Sequence, residues 1–537
     1  MSAKKNIRKP LSIFLSTVTF LAMASLSWAG DYFVDAVNGN DTNTGSQSAP
    51  WKTLTKVNGF AFKAGDTVNF NSGGTWSGTL TPASGSSGAF VTYAAYGTGN
   101  KPVISNCNVS GKSYIMIKGL KFSSTTASYP LIITNGSSYV WVDGCEIYAE
   151  SASTAYAAAR IYMNSHHNRI TNCTIEHRNL GIQNDALNLK FNANYNLIEG
   201  NKIGRATHYA LTLEGSNATY PSYECKYNII RNNTINNPEG AMVELQSNSN
   251  NNVVEGNIIT GGKTSSFNAN QPRSFKNVSN NNIIRMNVIH TNTQSAGSGL
   301  TSAAYQYNAD PPNNVIGNHT YNNVITGIYT QPLVLDNYEP TVCQINRNVF
   351  KNNTLYNNGT ANGYQLQITS YAGADNYFMN NLFYKSATTK VLNIRGATTD
   401  VAGIQNSDPV HFKGNTQQAP KFDSSFRPLV GSPTIDTGDY LSRIVSSTGT
   451  GTTFAVEDAG YFSDGFGIAA GDPIRVGSKT TTVTAVNRTQ NTITVADTVT
   501  WTAGEPVSLP YSGSKPDIGA YEYEAGLPGP MNLRFSN

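Results

Sequence analysis

The sequence predicts an all-β chain: a right-handed parallel β-helix, a solenoid of about ten coils, with an N-terminal cap helix and a small β insertion near the C-terminus. Three observations predict it. A short asparagine-centred template recurs along most of the chain, apolar residues alternate within each copy, and distinct non-repeating segments stand at both ends. An open stack of coils needs such ends covered.

The template is Asn-x-φ-x-x-Asn-x-φ, where φ is apolar. It fits residues 196–203, 228–235, 252–259, 282–289, 314–321, 348–355 and 376–383, and more loosely 115–122, 140–147 and 168–175. Copies start 24 to 34 residues apart. The sixth position reads Leu120, Cys145, Cys173, Asn201, Asn233, Asn257, Asn287, His319, Asn353, Asn381. If each copy is one coil, equivalent residues lie above one another at about 4.8 Å. Asn then stacks on Asn, each amide donating to one neighbour and accepting from the other, while its remaining groups satisfy a bent backbone. Burying so many amides without partners would be costly. Apolar template positions face the coil interior, and Glu199, Arg231, Glu255, Arg285 and Lys351 point out. A propeller fits less well, because its blades need about 40 residues. Disordered, Asn-rich low complexity is disfavoured by the persistence of the apolar period.

The remaining elements follow in chain order. Lys4, Lys5, Arg8 and Lys9 precede an apolar run from Leu11 to Leu26 and then Ser27-Trp28-Ala29, the arrangement of a signal peptide. The run is too short and too interrupted by Ser and Thr for a spanning helix. Residues 1–29 are therefore expected to be removed, leaving a secreted protein, extracellular or periplasmic. Residues 30–110 are assigned to the cap and first coils, with an amphipathic helix between Trp51 and Phe60 that turns Trp51, Leu54 and Val57 inward. The repeats occupy 111–440. Residues 441–511 break the Asn pattern, and Thr481-Thr-Val-Thr-Ala-Val486 with Asn491-Thr-Ile-Thr-Val495 reads as a hairpin in a small β module. A closing strand is assigned to 512–525 and a tail to the Pro- and Gly-rich 526–537.

Removing the leader takes away four basic and no acidic side chains, so the formal charge of +4 falls to zero. A neutral mature chain lacks the electrostatic excess of a nucleic-acid binder. No nucleic acid and no membrane span are expected, and a monomer is. Five widely spaced cysteines match no zinc pattern and leave at least one unpaired. They are read as buried thiols acting as small apolar side chains.

The ends carry a more specific signal. Tyr32-Phe-Val-Asp35, Trp51-Lys-Thr-Leu54, Ala64-Gly-Asp-Thr-Val68, Gly73-Gly-Thr-Trp76 and Tyr93-Ala-Ala-Tyr-Gly97 resemble the opening of secreted right-handed parallel β-helix proteins of the pectate-lyase-like superfamily. Gly431-Ser-Pro-Thr-Ile-Asp436 and Pro516-Asp-Ile-Gly-Ala-Tyr-Glu522 are similar to their closing segments. The resemblance implies the fold; lyases, hydrolases, epimerases and binding proteins all use it.

Just before the templates lies another strand: Ala186-Leu-Asn-Leu-Lys190, Ala210-Leu-Thr-Leu-Glu214, Met242-Val-Glu-Leu-Gln246 and, less clearly, Ala159-Arg-Ile-Tyr162. With Leu and Val inward, Arg160, Tyr162, Asn188, Lys190, Thr212, Glu214, Glu244 and Gln246 share an outer face, and the leading turns add Asp185, Arg205, His208 and Glu239. Tyr220 and Tyr223, on the connection 215–227, would wall a groove. The mix suits an acidic sugar chain, since elimination at a uronate needs its carboxylate neutralised, a base for the adjacent proton and an acid for the leaving oxygen. Lys190 or His208 is the candidate base and Arg205 the neutralising cation. Glu214 and Glu244 are candidates to hold a calcium ion or to act directly. Arg160, Tyr162, Asn188, Tyr220, Tyr223 and Gln246 are candidates to touch substrate. An outer charge pair with Lys190 is an equal reading of Glu214 and Glu244.

The lyase family of chondroitinase B and alginate lyases places a catalytic Lys and Arg on this face beside calcium-binding Asn and Glu. This sequence has Asn188, Glu214 and Glu244, but its Lys sits with Asn188 and no Arg occupies the coil of Gln246, so those roles do not transfer. Paired aspartates of a polygalacturonase-like hydrolase and the Asp-Pro-His motif of alginate epimerases are not found. The expected function is a secreted carbohydrate-active enzyme, a polysaccharide lyase on a uronate-containing polymer. The alternative is a non-catalytic extracellular glycan-binding or surface protein using the same face.

Overall fold

The computed structural model describes residues 29–237, 241–261, 273–290, 298–304, 314–328, 332–337, 340–358, 364–369, 373, 375–386 and 388–524. The leader before residue 29, the tail and Glu239 lie outside them. Among the described residues no helix is long and apolar enough to cross a membrane.

Three stacks of short parallel strands build the solenoid. One coil runs through Leu197–Glu199, Lys202–Gly204 and Tyr209–Glu214, and the next through Ile229–Arg231, Thr234–Asn237 and Ala241–Gln246. The first strands of the coils form a fourteen-stranded sheet; the second and third stacks join in one of twenty-three strands. Registers are parallel and aligned, Ile198 on Ile230 on Val254, Ile203 on Ile235 on Ile259, and Leu211 on Val243. These side chains are almost wholly buried, and stacking like on like lets each coil bury the apolar face of the next.

The asparagine ladder forms as its spacing requires. Each Nδ2 donates to the Oδ1 of the next rung: Asn201 to Asn233, Asn233 to Asn257 and Asn257 to Asn287, all at 3.0 Å. The same Oδ1 accepts the backbone N–H of the rung before it, and the second amide proton meets an interior carbonyl, as from Asn233 to Ile198 O at 3.0 Å. No polar group of the amide is left unmet. A parallel ladder links Asn168, Asn196, Asn228 and Asn252 at 3.0–3.1 Å. Cys145 and Cys173 begin the first ladder, and all five cysteines are buried with no disulfide among them.

The placement of His319 as a rung is corrected. Asn323 holds that position, accepting from Asn287 at 3.0 Å and donating to Asn353 at 2.9 Å, while Asn318 joins Asn348 in the second ladder. The repeat there starts four residues later than 314–321, because the five-residue spacing fits Asn318 with Asn323 as well as Asn314 with His319. An imidazole does not reproduce an amide's double donation at this spacing. His319 instead aligns with Ile283 and Val349 and points out of the coil. The residue before each rung turns left-handed, φ 68° at Gly200, 56° at Asn232 and 62° at Gly256, which explains the Asn and Gly written there. A Cβ on Gly256 would meet Asn232 Oδ1 at 2.7 Å.

Helix Leu54–Gly59, capped by Thr53 Oγ1 accepting from Lys56 N, covers the first coils with Trp51, Leu54 and Val57 buried. The far end, where no helix was expected, has one: Val401–Ser407, capped by Asp400, buries Val401 and Ile404 over the last coils. Beyond it the chain leaves near Asp436, builds a six-stranded antiparallel module and returns at Asp517, whose Oδ1 accepts from Asp436 N at 2.7 Å. The hairpin pairs Lys479–Asn487 with Thr492–Trp501.

This module lies on the outside of the first sheet. Leu197, Ile229, Val253, Ile283, Tyr321 and Val349 point out of the coils and bury against Leu441, Phe462, Ile468 and Leu509. The expected closing strand at 512–525 is also corrected: the described residues 512–524 extend neither sheet. They are pinned by single bonds, Gly438 N to Pro516 O at 2.7 Å and Gly519 N to Asn352 O at 2.9 Å, because the segment meets turns rather than a strand edge.

Candidate functional site

The third stack presents Ala157–Tyr162, Asp185–Lys190, Tyr209–Glu214 and Ala241–Gln246 side by side. Alternation sends Leu187, Leu189, Leu211, Leu213, Val243 and Leu245 inward, leaving two outward rows. One is Arg160, Asn188, Thr212, Glu244; the other is Tyr162, Lys190, Glu214, Gln246. The expected shared face therefore exists, spanning four coils or about 14 Å.

Its centre is a compact polar cluster. Asp185 Oδ1 is 2.9 Å from His208 Nδ1, and Asp185 Oδ2 accepts from Asn188 Nδ2 at 3.1 Å. Burial raises the Asp185 pKa, but the hydrogen bond and charge of His208, with Lys190 and Asn188, outweigh it and hold the carboxyl below its usual range. The carboxylate thus fixes the imidazole orientation and sets Nε2 as the proton-accepting nitrogen when the ring is neutral. Lys190 Nζ lies 2.5 Å from Glu214 Oε2 with both side chains nearly buried. Burial disfavours the ammonium, yet Glu214 and Asp185 raise its pKa above the ordinary lysine value. The expectation that Lys190 is a base is corrected accordingly: it is held as a cation.

Tyr156 completes the cluster and was missed in the sequence. Its ring centroid is 5.0 Å from Lys190 Nζ, and its carbonyl accepts from Asp185 N at 2.9 Å. The Asp185 carboxylate first, then burial, keep its phenol protonated well beyond the usual tyrosine range. A signal existed: Tyr156 stands one residue before its strand, as His208 does before Tyr209–Glu214. In the outward row, Asn188 Oδ1 and Thr212 Oγ1 are buried without a hydrogen-bond partner among the described residues.

An aromatic wall flanks the cluster. Arg160 stacks on Tyr162 at 3.8 Å and donates to Tyr129 Oη at 2.7 Å. Tyr162 meets Phe191, Phe191 meets Tyr220 and Tyr220 stacks on Tyr223, with centroids 5.5, 4.8 and 5.1 Å apart. Tyr220 and Tyr223 stack on one another, and Phe191, which the polar reading of the face passed over, joins them to Tyr162.

Other expectations are not met. Arg205 is exposed at a left-handed turn, φ 48°, and its side chain makes no hydrogen bond or ion pair among the described residues. It is not joined to the cluster. Glu214 pairs with Lys190, and Glu244 aligns with Thr212 in the preceding coil. Among the described residues no three His, Cys, Asp or Glu side chains are grouped to hold a metal ion.

A family model agrees with the architecture. The family described as Right handed beta helix region matches residues 79–281. A lacto-N-biosidase of Bifidobacterium longum subsp. longum is 33% identical over 133 residues, which span 22% of this chain and only 8% of that protein. Among solved structures, pectate lyase Pel9A is 17% identical over 93% of this chain and 98% of its own, with a TM-score of 0.41. The PL6 family polysaccharide lyase Pedsa3628 from Pseudopedobacter saltans is 16% identical over 71% and 93%, with a TM-score of 0.45. No residue role carries across at such identities.

Proposed function

We propose that this right-handed parallel β-helix, of the pectate-lyase-like kind, is a carbohydrate-active enzyme that cleaves a uronate-containing polysaccharide by elimination on its third sheet. The observation that carries the reading is the Asp185–His208 pair beside the Lys190–Glu214 pair, flanked by aromatic rings. An oriented imidazole is a base of suitable strength near neutral pH. A lysine held charged supplies the cation that a uronate carboxylate needs, and a tyrosine held protonated can donate to a leaving oxygen.

In the proposed step His208 Nε2 takes the proton from C5 of the uronate. The C5–H electrons form the C4=C5 double bond, the C4–O bond breaks, and Tyr156 Oη protonates the departing glycosidic oxygen. Lys190 faces the carboxylate, offsetting the charge that develops on it, and Tyr220 with Tyr223 lies against neighbouring sugar rings.

The experiment is absorbance at the unsaturated-uronate band during incubation with alginate, pectate and chondroitin sulfate. His208→Ala is expected to lower kcat by about 100-fold or more. Tyr156→Phe, which keeps the ring beside Lys190, is expected to lower kcat at little change in KM. Cleavage undiminished in both variants would sink these roles. The second reading, a non-catalytic glycan binder, is favoured by the closeness of the Lys190–Glu214 contact, which satisfies both charges internally. It becomes the better one if none of the polymers is cleaved while glycan is still bound.

A further inference from the structure

A cleft of about 1700 Å³ lies away from this cluster. It lies over the first sheet, between the inserted module at 467–470 and 508–512 and the closing segment at 519–524. Its floor is one outward row of the solenoid. Lys118, Asp143, Thr171, Glu199, Arg231 and Glu255 are successive register partners, so the row crosses six coils and runs about 24 Å. Exposure falls along it, from Lys118 open to solvent to Glu255 buried beneath the module, so the cleft is open at one end and closed at the other.

We propose that this cleft is a second saccharide-binding site, selective for a neutral chain of about four to six sugar units and independent of the third-sheet cluster. A run of donors and acceptors at about 4.8 Å intervals matches the repeat of an extended sugar chain more closely than that of a compact ligand. Carboxylates that accept from vicinal hydroxyls alternate with guanidinium and ammonium donors, as in Arg231 donating to Glu199 at 2.7 Å. Aromatic surface is supplied by Trp141, held by Arg169 at 4.6 Å, and by Tyr511. Arg169 is itself fixed by donating to Ile468 O at 3.0 Å, and among the described residues the buried indole N–H of Trp141 has no hydrogen-bond acceptor.

The charge balance selects the ligand. Six carboxyl groups line the cleft against four cationic side chains, and with Glu522 held protonated near neutral pH five remain ionised, so a polyanionic uronate meets no excess of positive charge. The inference rests on the reading of the protein as carbohydrate-active but not on its being a lyase. It gives the inserted module a role as one wall of the site.

Titration calorimetry of the full chain with neutral xylo-, cello- and manno-hexaose, and with galacturonate and mannuronate hexamers, tests it. At least one neutral hexaose is expected to bind, about tenfold more weakly in Trp141→Ala and Glu199→Gln, and within twofold of wild type in His208→Ala. Hydrogen exchange on the unaltered protein, which depends on no variant folding, is expected to show ligand protection at 169–171 and 508–512. Absence of neutral binding, or protection confined to the third sheet, overturns the proposal. Polymer cleavage is measured separately, so the lyase reading and this one can fail independently.

Discussion

Arg285 donates from Nη1 and Nη2 to both carboxylate oxygens of Asp472, at 2.7 and 2.5 Å, across 187 positions of sequence, with only 1% of its side chain exposed. Nη2 also meets Glu255, and Nη1 donates to Tyr321 Oη at 2.8 Å. This planar fork locks the inserted module to the solenoid. Removing it leaves two buried carboxylates without their cation, a change that costs about 3–5 kcal/mol. Arg285→Ala is therefore expected to split the thermal transition into a lower one for the module and a higher one for the coils. Calorimetry showing a single transition at the wild-type temperature would contradict the coupling.

The asparagine ladder predicts a graded cost. Asn233→Ala leaves Asn201 N–H, Asn201 Nδ2–H and Ile198 O short of partners in the interior. At about 1–3 kcal/mol for each such group, partly recovered by relaxation, a loss of about 2–4 kcal/mol is expected in denaturant unfolding. Asn233→Cys is expected to cost less, since Cys145 and Cys173 already serve as rungs. Equal losses in the two variants would show that the amide network is not what stabilises the turn.

The closing segment carries a pH-sensitive element that weakens as pH rises. Burial raises the Asp517 carboxyl to about 6, and burial with the Asp517 charge raises Glu522 to about 8, from ordinary values of 3.8 and 4.5. Folded values above unfolded ones mean stability is fully present below about pH 4 and is lost as pH rises through 6 and then 8. Glu522→Gln is expected to raise the melting temperature relative to wild type at pH 8.5 and to leave it unchanged at pH 4.5. A difference of the same size at both pH values would rule out this titration as the cause.

How much of this was legible varies residue by residue. Asn201, Asn233 and Asn257 were readable because a coil repeats one environment, so one requirement is written many times. His319 was misread because a five-residue spacing in an Asn-rich stretch admits two frames, and only the neighbouring rungs choose between them. In the apolar doublets Ile229-Ile230, Val253-Val254 and Ile283-Ile284 the template assigned only the second member to the interior and gave the first no role. Their first members face outward and bury under the module, a signal present in the sequence but ambiguous without knowing that a second layer covers the sheet. In the cluster, the rows holding Asn188, Lys190 and Glu214 followed from two-residue alternation and the Lys190–Glu214 pair was one of the two readings given for that carboxylate, whereas the position of Tyr156 was not foreseen.

The amino-acid order alone determined the solenoid, its inward and outward faces and the shared surface of the third sheet, because these follow from local periodicity repeated at short range. Which charges pair across that surface, where the module lies and where the large cleft opens were decided by tertiary structure. Such contacts join segments as far apart as Arg285 and Asp472, and a long-range pairing leaves no periodic trace in the chain.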